Sequence, residues 1–182
     1  MNKIQRVSYY FRILFQLIFI SMPILQAIGW SYAPGVLNFR LGVIDMIPEM
    51  YRSHIMVNAF GLDTKMLGFL VSMVPISINL LVLYFLIKLF KLYEQGEIFS
   101  LINVGYLRKI GYALLIGQLI NPVYEFVMGA VLTWHNPPGH GIAMITIGTT
   151  NLGIVLMALL VILISWIMAE GCKLREEQQL TV

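Results

Sequence analysis

Gly153-Ile154-Val155-Leu156-Met157-Ala158-Leu159-Leu160-Val161-Ile162-Leu163-Ile164 carries no charge and no polar side chain. It lies inside a longer uncharged run, residues 141–169, and three further runs are like it. Residues 13–33 and 66–87 are uncharged, and 110–134 holds one charge, Glu125. Each run reaches or exceeds the roughly 20 residues that a helix, rising about 1.5 Å per residue, needs to cross a hydrocarbon layer near 30 Å thick. Backbone groups in hydrocarbon must pair within their own segment, so the runs are read as helices. A β-barrel would need short segments alternating apolar and polar, whereas residues 80–86 and 153–164 are apolar throughout.

Composition agrees. The 182 residues are 59% hydrophobic and 12% charged, against roughly 45–50% and about 25% in soluble domains. The basic residues set a direction. Lys3, Arg6 and Arg12 precede the first run, Lys88, Lys91, Arg108 and Lys109 lie between the second and third, and Lys173 and Arg175 follow the fourth. Only Arg40, Arg52 and Lys65 fall in the other connections. The positive-inside rule then puts both termini in the cytoplasm. Trp30 and Trp134 are expected at the outer interface and Trp166 at the inner one. The first run is too long for a signal-peptide core, and Ser31-Tyr32-Ala33 is followed by Pro34, so an uncleaved helix is expected.

The expected fold is therefore an all-α, polytopic membrane four-helix bundle in one domain, both termini cytoplasmic. Its spans cover about 13–33, 66–90, 108–134 and 143–169, with an external loop at 34–65 and a cytoplasmic tail at 170–182. Asp63 or Thr64 is expected to cap the second span. Gly68, Ser72, Pro75 and Asn79 form a stripe of small and polar residues that lets another helix approach closely, within the chain or in a second copy. The cytoplasmic elbow 93–109, with Gly96 as breaker and Ser100 as cap, is expected to form a short interfacial helix running into the third span. Asn136-Pro137-Pro138-Gly139-His140-Gly141 predicts a tight turn, making the last two helices an antiparallel hairpin.

Glu125 is the charged residue inside a span, fifteen residues past Ile110 and so roughly 22 Å along the helix axis. A carboxylate there costs about 2.5–3.5 kcal/mol on insertion scales, so it should face the bundle, a partner or water, or be protonated. Gln118 and Asn121 share its helix face at i, i+3 and i+7 spacing. Gln26, Thr149, Thr150 and Asn151 are candidate partners at similar depth. Glu125, Asn121, Gln118, Asn151 and Gln26 could line an outward polar pocket for a ligand or proton. They could equally be interhelical hydrogen-bonding glue.

Other chemistry has less behind it. No Walker loop, HExxH or nucleophile elbow occurs, and the remaining external acids, Asp45, Glu49 and Asp63, lie in the loop, so a non-enzymatic protein with no cofactor is expected. Met46, Met50, His54 and Met56 in the external loop could take Cu(I), with His135 and His140 joining in, although methionine is also an ordinary filler of apolar gaps. One cysteine, Cys172, excludes an intrachain disulfide. It is either a site of reversible acylation or a spectator thiol.

The segment Gly96-Glu97-Ile98-Phe99-Ser100, followed by Asn103-Val104 and Leu107-Arg108-Lys109-Ile110-Gly111, resembles a family of small bacterial four-span membrane proteins known as domain of unknown function 2975. The ending Leu174-Arg175-Glu176-Glu177-Gln178-Gln179-Leu180-Thr181-Val182 resembles it too. The resemblance implies a bacterial inner-membrane location, four helices and frequent genomic pairing with a small helix-turn-helix regulator, and brings no activity with it. It also suggests that elbow and tail meet each other or a cytoplasmic partner. The leading expectation is a cytoplasmic docking or regulatory surface built from Phe99, Arg108, Lys109, Glu176, Glu177 and Leu180. The bilayer, a cytoplasmic protein or a second copy of the chain are the expected partners, and direct nucleic-acid binding is not expected.

Overall fold

A computed structural model describes residues 3–32, 51, 60–143, 145 and 149–180, with side chains at all of these except 32, 149, 150 and 178–180. Among the described residues there are four long helices, α1 (Lys3–Tyr32), α2 (Leu62–Glu94), α3 (Leu101–Thr133) and α4 (Thr149–Leu180), and no strand. At 30 to 33 residues each, they extend about 45–50 Å, more than a hydrocarbon layer needs. All four are long and apolar enough to cross a membrane, and only 11–17% of their most apolar windows is buried within the chain. Leucines such as Leu17, Leu119 and Leu160 point outward, as expected where lipid rather than water covers the surface.

The helix ends follow local chemistry. The carbonyl of Gly61 accepts the Lys65 N–H at 3.1 Å, so Gly61 caps α2. The expected caps, Asp63 and Thr64, lie within the first turn, where their side chains reach His135 instead. At the other end, the N–H of Gly96 bonds to the Tyr93 carbonyl (3.1 Å) and that of Glu97 to the Leu92 carbonyl (3.0 Å), with Gly96 at φ +89°. This is the paired closure that a left-handed residue after a helix permits. Ser100 then caps α3, its hydroxyl accepting the Asn103 N–H at 3.3 Å and its carbonyl the Val104 N–H at 3.2 Å. From Leu101 the helix continues without a break to Thr133, so the helical part of the elbow is the first turns of α3 itself.

After α3 the N–H of His140 bonds to the Pro137 carbonyl at 3.0 Å, with Gly139 at φ +87°. Pro138 and Gly139 thus occupy the central positions of a type II turn. Asn136 donates its side-chain amide to the His140 carbonyl at 2.9 Å. The hydroxyl of Thr133 donates to the Gly129 carbonyl (2.8 Å) and accepts the Ile142 N–H (3.0 Å). Residues 141–143 are non-helical, so the uncharged run starting at 141 is not helical from its beginning. α4 starts at Thr149 and compensates at its far end, running on to Leu180.

The chain divides into two compact units. Unit 1 comprises Met1–Phe19, Ile78–Gln118 and Gly148–Val182, and unit 2 comprises Ile20–Ser77 and Leu119–Ile147. In unit 1, Phe11 of α1 stacks on Phe90 of α2 at 5.4 Å, and Phe15 meets the same ring edge to face at 5.3 Å. Nearby, Arg12 pairs with Glu94: its Nη2 donates to Oε1 at 3.3 Å and its Nε lies 2.8 Å from Oε2. Phe85 of α2 meets Tyr106 of α3. A Cβ on Gly111 of α3 would overlap Ile162 and come within 3.1 Å of the Ala158 carbonyl of α4; only glycine lets these two helices approach so closely. Residues 101–108 of α3 share a groove with residues 166–173 of α4, while Gly111, further along α3, meets Ala158 and Ile162, further back on α4, so the α3–α4 pair is antiparallel here, as its connecting turn predicts.

Unit 2 has its own core of Trp30, Tyr51, Phe60, Met128 and Leu132, with Phe69, Val71, Tyr124 and Ile142 against it. Trp30, expected at the outer interface, is 3% exposed. Its ring covers Gly68 and its N–H bonds to the Ser72 hydroxyl, so half of the predicted small-residue stripe is a bed for an indole from the same chain. Trp134, by contrast, is exposed.

Candidate functional site

Glu125 is half-buried, and its Oε1 accepts the Asn121 side-chain amide at 2.8 Å. The two face each other because i and i+4 adjoin on a helix. Its backbone carbonyl accepts the Tyr51 hydroxyl at 3.0 Å. Tyr51 is fully buried, its ring lying over Gly129, where a Cβ would overlap it. Gln26, in the same unit, is 2% exposed, and its Oε1 is buried without a hydrogen-bond partner among the described residues.

Gln118 stands three residues before Asn121 on the same helix α3, and Asn151 stands in the first turn of α4. Both are half-buried, and the Gln118 Oε1 is likewise buried without a hydrogen bond among the described residues. Of the five predicted residues, Asn121 and Glu125 form a hydrogen-bonded pair. Side chains of Thr149 and Thr150, and the Met46, Met50, His54 and Met56 cluster, lie outside what is described. Among the described residues, no group of three His, Cys, Asp or Glu could hold a metal ion.

A second polar cluster in unit 2 was not legible in the sequence. His135 Nδ1 lies 3.2 Å from the Thr64 hydroxyl and Nε2 lies 3.3 Å from an Asp63 carboxylate oxygen. The α3–α4 turn is thereby fastened to the first turn of α2, where a carboxylate also suits the helix dipole. Lys65 reaches the Ser31 carbonyl of α1 at 3.0 Å. His140 is exposed.

The motif that carried the family resemblance now has a physical account. Asn103 is fully buried, and its amide donates to the carbonyls of Glu97 and Ile98. Gly96 ends one helix, Ser100 starts the next, and Asn103 stitches the link between them. That leaves Phe99 and Ile102 exposed. Lys109 is exposed and lies over the Phe85 and Tyr106 rings at 5.6 and 5.7 Å. Arg108 instead lines a groove against Trp166, Glu170 and Lys173 of α4. Glu176 and Glu177 are exposed on the last turns of α4. Cys172 is buried, a position that suits a spectator thiol rather than an acylated one.

The sequence profile described as "protein of unknown function (DUF2975)" matches residues 22–182. The chain belongs to this family. The match includes the whole α2–α3 corner, all of α3 and α4, and the tail. No curated protein and no solved structure matches the chain. Membership thus brings four membrane-capable helices and no activity.

Proposed function

We propose that the chain is a non-enzymatic integral protein of a bacterial cytoplasmic membrane, with both termini and the α2–α3 link in the cytoplasm, and that this end is a docking face for a protein partner. The distribution of basic residues supports the orientation. The observation that carries the docking reading is the α2–α3 corner. Phe99 and Ile102 are 63% and 58% exposed, yet the backbone presenting them is held by Gly96, Ser100 and Asn103. An apolar pair on a preformed corner loses little freedom when a partner covers it. Lys109 beside it, and Glu176 and Glu177 on α4, supply charges of both signs for specificity; Leu180 completes the tail.

The test is native mass spectrometry of the protein gently extracted from its own membrane. A co-released polypeptide, lost in Phe99→Ser with Ile102→Ser while the membrane level of the chain is unchanged, is the expected result. Wild-type chain released without any polypeptide would overturn it. Deleting residues 174–182 should likewise remove the partner and spare insertion.

A second reading, binding or transport of a small molecule at Glu125 and Asn121, is favoured by Gln26, whose buried Oε1 has no hydrogen bond in the same unit. Its test is ligand binding or proton coupling in Glu125→Gln.

A further inference from the structure

A groove in unit 1 contains a cation that no described residue pairs with. Leu101, Val104 and Arg108 of α3 form one wall, Trp166, Ile167 and Lys173 of α4 the other, around about 710 Å³. That is within the roughly 300–1,000 Å³ typical of ligand sites. Arg108 is half-buried with its Nε enclosed, and it forms no hydrogen bond or ion pair with any described residue. The other half-buried bases of unit 1 are matched, Arg12 by Glu94 and Lys88 by the Tyr84 ring. Inside the groove Glu170 is engaged by Lys173 at 2.8 Å, leaving the guanidinium over.

A guanidinium whose Nε is enclosed without an acceptor carries a desolvation cost, and its two Nη groups remain open to a ligand in the groove. A phosphodiester answers it with two parallel N–H···O bonds, a geometry that arginine favours. The remaining lining is apolar and open, with Leu101, Trp166 and Ile167 all exposed. The level along the helices also fits a lipid. The uncharged run of α3 begins at Ile110 and that of α4 ends at Ala169, so the groove lies where headgroups meet hydrocarbon and where tryptophan is favoured. Arg108 and Lys173 outnumber Glu170, and Lys109 adds to the positive field, so a headgroup with net negative charge is favoured over a zwitterionic one.

We propose that this groove binds one anionic phospholipid, its phosphate held by Arg108 with Lys173 alongside, its acyl chains lying over Leu101, Trp166 and Ile167. The inference rests on the chain crossing a bilayer and is independent of the docking reading.

The experiment uses the full chain, purified in detergent, stripped of lipid and incubated with phosphatidylglycerol or phosphatidylcholine before native mass spectrometry. One phosphatidylglycerol per chain should be retained, about tenfold or more tighter than phosphatidylcholine, with Arg108→Gln losing a similar factor, as expected for one charge-assisted contact. Gly105→Leu is the second variant. Gly105 also lines the groove, and a Cβ there meets no atom within 4 Å, so leucine should fill the space and expel the lipid without lowering the melting temperature. Equal retention of the two lipids by the wild-type chain overturns the proposal, as does phosphatidylglycerol binding that survives both variants. Displacement by inorganic phosphate alone would assign the site to a free anion and overturn it too. Should Arg108→Gln fail to fold, the wild-type comparison and Gly105→Leu decide. Wild-type chain released without any polypeptide, yet retaining phosphatidylglycerol, would remove the docking reading and leave this one standing.

Discussion

Trp30 of α1 donates its indole N–H to the hydroxyl of Ser72 of α2 across 3.1 Å, and the same hydroxyl donates onward to the Phe69 carbonyl at 2.7 Å. The contact is buried and the indole packs directly against Gly68, where a Cβ would overlap it, so polar and steric fit are set by one pair of helices.

Ser72→Ala should therefore cost about 1–3 kcal/mol, because the buried indole N–H loses its acceptor. Gly68→Leu should cost at least as much through overpacking against the ring, where about 1–3 kcal/mol is usual. Thermal melting in detergent, followed by helical circular dichroism, measures both. Little change in either would mean that Trp30 has another resting place.

Asn103 acts as a donor, so its shape alone is not enough. Asn103→Asp keeps the outline but points a carboxylate at the Glu97 and Ile98 carbonyls, and should destabilise more than Asn103→Ala, which is expected to cost about 1–3 kcal/mol. The ordering of the two melting temperatures is the readout.

Gly96 is held at φ +89°. Gly96→Ala should lower stability by about 1 kcal/mol from the left-handed backbone, and Gly96→Asn, which tolerates that region better, should recover part of it. Equal loss for the two would point to the neighbouring Gln5 side chain, 3.4 Å from a Cβ at this position.

Glu125→Gln retains an acceptor for the Asn121 amide and removes a charge that the bilayer disfavours. The melting temperature should be unchanged or higher, while any proton coupling disappears. A clear fall in stability with no functional change would show that the carboxylate serves the fold.

The His135–Asp63 contact joins side chains that are about half exposed. His135→Ala should cost no more than about 1 kcal/mol, and the loss should shrink in high salt, as for other surface pairs. A larger, salt-insensitive loss would place the weight on the Thr64 bond.

Uncharged runs of twenty or more residues, and a glycine, a serine and a proline–glycine turn at the right places, were enough to read four helices, their order and two of their connections. Hydropathy is a property of each segment by itself, and so are caps and turns. The α2 cap was misread because three capping candidates, Gly61, Asp63 and Thr64, stand within four residues; the choice depended on where His135 would lie. The Glu125 site was legible only as far as one helix turn reaches. Asn121 was found by spacing, but Tyr51, which bonds to the Glu125 carbonyl from more than seventy residues away, left no local signal.

What the amino-acid sequence determined on its own is the material of the fold: four helices too apolar for water, a break at Gly96 and a cap at Ser100, and membership of a family whose match covers residues 22–182. Only the tertiary structure decided which polar groups are satisfied. It buried Trp30 against Gly68 and Ser72, brought Tyr51 to the Glu125 carbonyl, and left Arg108 in a groove without a hydrogen bond or ion pair among the described residues. The reason is that helix formation depends on neighbours three and four residues apart, whereas hydrogen-bond satisfaction depends on which distant side chains the packing brings within about 3 Å.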